Sequence, residues 1–305
     1  MALLAVVVLS AVAASAAVTV QFLRGRAQAE QPRPSTAYSP SPPVAAPPAR
    51  PSPSSSAEAG TCPPGRSGPL RLDTRFAAGP AGPAGPAGNG FPFSVSLPDD
   101  YWSACRQYPV IYALHGKTQD NVSFMDEALS LRGAMAAGVL EPSIIVTPDS
   151  YSTGRWENLP TGPAEDNLIQ HLIPWIEQNY RVRPGPSYRL LVGFSMGGHG
   201  AIRFGLKYPQ LFAGVWSVDG AMAGPEDYLP YAEGKPSGTF RILAVGGREN
   251  GERVRRLVDS LERVGVTIPY AYRDLRHEFV DFVADDGRTG WVAMRYLNQQ
   301  LGRDL

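Results

Sequence analysis

The segment GFSMGGHG, Gly193 to Gly200, sets a serine inside the pattern G-x-S-x-G and a histidine four residues after that serine. A serine hydroxyl attacks a carbonyl carbon only when a base takes its proton and a third group orients the base. The flanks of the pattern matter as much as the pattern. RLLVGF before it reads as a buried strand, and GGHGAIRFGLK after it reads as a helix. A serine at the tip of a strand-to-helix turn projects its hydroxyl over the end of a sheet. Glycines two before and two after let strand and helix pass closely, and the helix N-terminus favours developing negative charge. Ser195 is the candidate nucleophile.

The chain has four histidines. His199 lies one turn into the helix behind Ser195 and points along the helix flank, so it reads as a packing or hydrogen-bonding residue. His171 falls mid-helix and precedes the serine, and His115 ends a strand in LHG, where an imidazole braces a loop. His277, in DLRHEF after the last strand, remains. A nucleophile, acid, histidine order with the histidine on a late loop suits a strand-to-helix serine, so the base is expected some eighty residues downstream.

The acid should follow a strand between Ser195 and His277. Glu249, in AVGGREN, is the first choice and Asp219, in WSVDG, the rival; Asp274 sits too near His277 in sequence. Acyl chemistry also needs two N–H donors aimed at the oxyanion. The backbone N–H of Met196, next after the nucleophile, is one, and the turn LHGKTQD supplies the other through Lys117, with Thr118 next. Tyr151, Arg155 and Trp156, in SYSTGRWEN, are expected to line a wall of the substrate pocket, the alternative being a loop that packs its own tryptophan.

These residues need elements to carry them. FPFSVSLP (91–98), YPVIYALHG (108–116), PSIIVTPDS (142–150), SYRLLVGF (187–194), FAGVWSV (212–218), FRILAVGG (240–247) and TIPYAYRDL (267–275) read as strands. Helices are expected over 165–180, where Pro174 should bend the helix or mark its first turns, from Met196 to Lys207, over 251–265 and over 289–302. Strands alternating with helices predict an α/β domain at 70–305, a mainly parallel sheet covered on both faces.

The rest of the chain has a different character. MALLAVVVLSAVAASAAVTV carries no charge and is long enough to span a bilayer; an Ala27-Gln28-Ala29 site follows it. Residues 1–29 are therefore expected to export the chain, either as a cleaved signal peptide or as a retained membrane anchor. Residues 30–69, rich in Pro, Ser and Ala, read as a disordered linker that is either a spacer from a membrane or cell wall or a passive tether. AGPAGPAGPAG (78–88) has too few repeats for a triple helix and reads as a long loop between two early strands. Cys62 and Cys105 either form a disulfide or stay as two thiols, and neither has metal-ligand or redox spacing. With 28 Lys plus Arg against 28 Asp plus Glu, no basic surplus points to nucleic acid.

YPVIYALHG, the PDS loop, LIPWIEQNYRV, GFSMGGHGA, AVGGREN and RDLRHEF, in that order, resemble the esterase D and feruloyl-esterase branch of the α/β-hydrolases, which includes enterochelin esterases and mycolyltransferases. The resemblance runs over most of 70–305. It implies the α/β-hydrolase fold and hydrolysis or transfer of an acyl ester with no metal or organic cofactor. It puts the acid on Glu249, where many members carry Asp, and places Glu278 and Phe279 after the histidine, where Asp and an aromatic are common. The function expected is an exported, extracellular or cell-surface serine esterase acting on a feruloyl or acetyl carbohydrate, a lipid or a siderophore-type ester. The alternatives are a mycolyltransferase-type acyltransferase of the cell envelope, in which a sugar hydroxyl replaces water, and a catalytically silent tethered binding module.

Overall fold

The computed structural model of the protein describes residues 67–75, 91–150, 155–159 and 162–303. The apolar run at 1–20, the Pro-rich tract up to residue 66 and the repeats at 78–88 lie outside them. Among the described residues no helix is long and apolar enough to cross a membrane. Cys105 is disulfide-bonded, and Cys62, the other cysteine in the chain, lies outside the described residues.

Eight strands form one sheet in the order β1-β2-β4-β3-β7-β8-β9-β10. They are β1 (Arg71–Arg75), β2 (Pro92–Ser96), β3 (Val110–Leu114), β4 (Ile144–Pro148), β7 (Arg189–Phe194), β8 (Gly214–Val218), β9 (Ile242–Gly246) and β10 (Tyr270–Tyr272); β5 (Asn158–Leu159) and β6 (Gly162–Pro163) make a separate small ladder. β1 and β2 are antiparallel, and β2 meets β4 antiparallel. From β4 to β10 every pairing is parallel. The helices are α1 (Asn121–Ala128), α2 (Arg132–Ala136), α3 (Ala164–Asp166), α4 (Ile173–Asn179), α5 (Met196–Lys207), α6 (Leu229–Ala232), α7 (Gly251–Arg263), α8 (Phe279–Arg288) and α9 (Val292–Gln300).

The apolar runs of the central strands are continuous because both faces are covered. Alternation along each strand divides them between two cores. Tyr112, Leu114 and Leu191 face one core with Leu168, Ile202 and Leu257. Ile111, Ala113, Leu190 and Val192 face the other with Phe124, Phe279 and Leu297.

The expected helix at 165–180 is a composite. A π-helical stretch, Asn167–Leu172, joins α3 to α4, and Pro174 stands in the first turn of α4. Proline has no N–H to close the helical bond, and widening the turn before it relieves the clash of its ring. The last strand is shorter than expected, and α8 was not expected at all. Its Phe279, Val280, Phe282 and Val283 do carry helical spacing, but three acidic residues and Gly287 dilute the pattern. Tertiary packing decides it, for Phe279 lies 5.3 Å from Phe124 and 6.0 Å from Trp216, ring centre to ring centre.

Two glycines let α5 leave β7 directly beneath the sheet end. A Cβ on Gly193 would stand 2.0 Å from the carbonyl oxygen of Gly197, and one on Gly197 would stand 2.0 Å from that of Leu114. Both contacts are with backbone, which cannot swing aside. Gly197→Ala is expected to destabilise the fold by about 3 kcal/mol, read as a fall in the urea midpoint at constant m-value. An unchanged midpoint would mean that α5 does not press on β3.

Candidate active site

Ser195 sits between β7 and α5 with φ 54° and ψ −115°, a conformation costing a non-glycine residue about 1–3 kcal/mol. Its backbone is held from both sides. Its N–H donates to Val218 O at 3.0 Å, and its carbonyl accepts from Ala221 N at 2.9 Å and His199 N at 3.1 Å. Of the three other non-glycine residues with positive φ among the described residues, Thr118 (70°) and Asp219 (41°) lie in the turns after β3 and β8, and Trp291 (61°) precedes α9. Strain is concentrated at the ends of neighbouring strands, where functional groups are commonly aimed.

The Ser195 hydroxyl donates to His277 Nε2 at 2.8 Å, and His277 Nδ1–H donates to Asp219 Oδ2 at 2.6 Å. His277 is brought there by the segment between β10 and α8, with its ring 4.5 Å from that of Phe194. Asp219 is fully buried at the end of β8. Its other oxygen, Oδ1, accepts from Gly247 N at 2.7 Å and Asn250 N at 3.2 Å, while Asn250 Nδ2 donates to its carbonyl at 3.1 Å. A carboxylate so held has one oxygen left, and that oxygen faces the imidazole.

The structure thus brings Asp219, the rival, and not Glu249, the first choice, against His277. Glu249 is exposed and makes no hydrogen bond to His277 among the described residues. The AVGGREN loop, chosen because it follows a strand and carries an acid, acts through its backbone. Gly247 and Asn250 turn their N–H groups onto the carboxylate of the preceding strand, and the turn that does so carries the Glu249 side chain outward. The signal that could have favoured Asp219 is its place at the end of the strand paired directly with β7.

His199 is buried with Nδ1 against the Tyr228 hydroxyl and Nε2 3.3 Å from Glu157 Oε1. Tyr228 in turn accepts from Ala223 N at 3.2 Å, so His199 fixes the loop after β8 and does not reach the Ser195 hydroxyl. The hydrogen bond from His199, with Arg203 and Arg155 nearby, holds the Glu157 carboxyl below its usual range despite burial. His115 braces the loop after β4: Nδ1–H donates to Gly116 O at 2.7 Å, and Nε2 accepts from Ser150 N at 2.9 Å. His171 lies half-buried in the π-helical stretch.

Ser195 opens into a cavity of about 420 Å³ whose lining includes Lys117, Met196, Arg155, His199 and Arg253. Arg155 forms an ion pair with Asp227 at 2.9 Å. Trp156, expected on the pocket wall, is instead fully buried: its Nε1 donates to His115 O at 3.2 Å, and its side chain fills the space above Gly200. Its indole anchors the start of the described segment, and Arg155 beside it reaches the cavity. Tyr151 lies outside the described residues. Among the described residues no cluster of His, Cys, Asp or Glu could hold a metal ion.

Burial works against a charged His277, yet the Asp219 hydrogen bond and charge, with Glu249 and Glu278 adding to them, raise its pKa above the ordinary 6.5. A general base must be neutral. The kcat/KM for a neutral ester is therefore expected to rise with pH through an apparent pKa above 6.5. Glu249→Gln, removing one nearby negative charge, should shift that inflection to lower pH. A shift upward would contradict the sign of the Glu249 contribution.

A mainly parallel sheet with an antiparallel edge, a serine on a strained strand-to-helix turn and a histidine returning from the last loop define the α/β-hydrolase fold. The chain belongs to the esterase family whose model is described as "Putative esterase" and matches residues 87–240, a span that contains Ser195 and Asp219 and ends before His277. Over 140 residues it is 37% identical to Esterase Rv1288 of Mycobacterium tuberculosis, covering 44% of this chain and 30% of that one. It is 27% identical over 184 residues to an endo-1,4-beta-xylanase/feruloyl esterase of Xylanibacter ruminicola, covering 56% of this chain and 25% of that one. The chain thus matches less than a third of the length of either relative. In three dimensions it resembles a ferulic acid esterase (TM-score 0.64, 18% identity, 76% of this chain and 98% of the other). It also resembles the S-formylglutathione hydrolase FrmB of Staphylococcus aureus (TM-score 0.54, 16% identity, 72% and 97%). The expected resemblance to the esterase D and feruloyl-esterase branch agrees with these likenesses.

Proposed function

We propose that this protein is an exported serine esterase that cleaves a carboxylic ester through an acyl-enzyme on Ser195. The observation that carries the reading is the hydrogen-bonded line from Ser195 Oγ through His277 to Asp219. In this reading His277 Nε2 takes the hydroxyl proton as Ser195 Oγ attacks the ester carbonyl, and Asp219 stabilises the imidazolium and holds its tautomer. The backbone N–H groups of Met196 and Lys117, both residues of the cavity lining, receive the oxyanion. Met196 opens α5, where the first N–H groups have no partner within the helix. Gly116 N–H is already taken by Gln119 Oε1 at 2.8 Å, which supports Lys117, with Thr118 next, as the donor in that turn. His277 then returns the proton to the leaving alcohol, and a water activated by the same nitrogen releases the acid.

Esters of carbohydrates, feruloyl groups among them, of lipids or of siderophore type suit the exported protein proposed here. The feruloyl esterases among its relatives and structural neighbours support the carbohydrate ester first. The test is turnover of a p-nitrophenyl ester series and of a feruloyl ester, with a fluorophosphonate probe as an independent report on Ser195. Hydrolysis and labelling that both vanish in Ser195→Ala are the expected result. A folded protein that neither turns over an ester nor reacts with the probe would overturn the reading in favour of a silent binding module. Product that forms only when an acceptor alcohol is added would instead favour the acyltransferase.

A further inference from the structure

We infer that the ester this site selects is anionic, carrying on its acyl or its alcohol part a carboxylate or phosphate that seats between Lys117 and Arg253. The inference rests on the esterase reading above and names its substrate class. The Ser195 cavity does not end at the loop after β8. It shares Met222, Ala223 and Arg253 with a second cavity of about 330 Å³, which lies between that loop and α7 and is also lined by Arg256 and Arg263. Three arginines of one helix thus border a cleft that opens onto the nucleophile, and Lys117 and Arg155 border the cavity over Ser195 itself.

These cations are unequally engaged. Asp227 offsets Arg155 at 2.9 Å, and Glu252 stands 3.8 Å from Arg256 on the exposed side of the helix. Among the described residues no carboxylate lies within ion-pair distance of Lys117 or Arg253. Among the described residues the Ser195 cavity has no acidic residue in its lining, and Asp259 is the acid that lines the second cavity. Glu249 and Glu278, the carboxylates that act on His277, line neither.

The field across the site is therefore polarised, with negative charge behind the base and unpaired positive charge around the space the substrate enters. Lys117 and Arg253 are exposed, so salt screens this field, but at low ionic strength an anion on the substrate both enters faster and binds more tightly. A neutral ester makes no use of the Lys117 and Arg253 charges.

The test uses the full chain and matched ester pairs that differ in one charge. Acetylated 4-hydroxybenzoate against its methyl ester puts the charge on the alcohol. The mono-p-nitrophenyl ester of glutaric acid against p-nitrophenyl hexanoate puts it on the acyl group. 4-Acetoxyphenyl phosphate replaces carboxylate by phosphate. For each pair the anionic-to-neutral ratio of kcat/KM is measured, together with the ratio of affinities for Ser195→Ala by calorimetry.

In at least one pair the anionic ester should be favoured by about tenfold at low ionic strength, and the preference should shrink at about 0.5 M salt. Arg253→Gln should reduce the ratio several-fold. Because each ratio is internal to one variant, a general loss of active protein cancels. Ratios at or below one in every pair, or a preference that Arg253→Gln leaves unchanged, would overturn the inference while leaving the esterase standing. If no ester is hydrolysed, the esterase reading falls, and the calorimetric ratios alone decide whether the groove selects anions.

Discussion

Asp219→Asn is expected to lower kcat/KM for ester hydrolysis by about ten-thousandfold with the fold intact, and Glu249→Gln by about threefold or less. The contrast follows from how Asp219 is held. Its Oδ1 accepts two backbone N–H bonds, from Gly247 and Asn250, so an asparagine in its place must keep its carbonyl oxygen there. The amide NH₂ then faces His277 Nδ1, which becomes an acceptor. The proton moves to Nε2, and the nitrogen that should take the Ser195 proton can no longer do so. Geometry survives and the tautomer is wrong. Glu249, exposed and without a bond to the ring, contributes only a screened charge. Measuring both variants at a pH above the inflection, with unfolding midpoints alongside, decides the matter. A larger loss in Glu249→Gln than in Asp219→Asn would return the acid to the loop after β9.

Ser195→Ala is expected to reduce kcat by at least about a thousandfold and to leave the melting temperature within a few degrees. The side chain makes its hydrogen bond to His277, and the strained backbone is held by Val218, Ala221 and His199 whichever small side chain is present. Residual turnover would come from substrate binding and the N–H groups of Met196 and Lys117. His277→Ala should fall to a similar level, and the double variant should be no worse than either alone. Once one partner of a nucleophile–base pair is gone, the other has nothing left to do. Additive losses would mean that Ser195 and His277 act in separate steps.

Much of this architecture was legible in the chain itself. Apolar runs broken by turns specified the central strands. The 3.6-residue stripe of Val254, Leu257, Val258 and Leu261 specified α7, and the glycines around Ser195 announced a backbone crossing that the 2.0 Å approaches bear out. These are local matters, settled by what a strand, a helix or a tight turn demands of its own residues. His277 could be singled out because only four histidines exist and three sit within or at the ends of regular elements.

What only the tertiary structure decided concerns groups that meet across the sheet. Asp219 and Glu249 both follow strands, and nothing along the chain separates them. The choice depends on the turn after β9 presenting N–H groups inward and its acid outward, and on β8 lying beside β7. Trp156 read as a pocket wall because its segment follows a strand, yet the space above Gly200 takes it into the core. α8 exists because Phe279 and Phe282 complete a core that reaches back to Phe124, more than a hundred residues away. The cationic groove is of the same kind. Lys117, Arg155 and Arg253 come from three separate stretches, and their common field arises only because parallel strands deliver two loops and the start of α7 to the same, carboxyl end of the sheet.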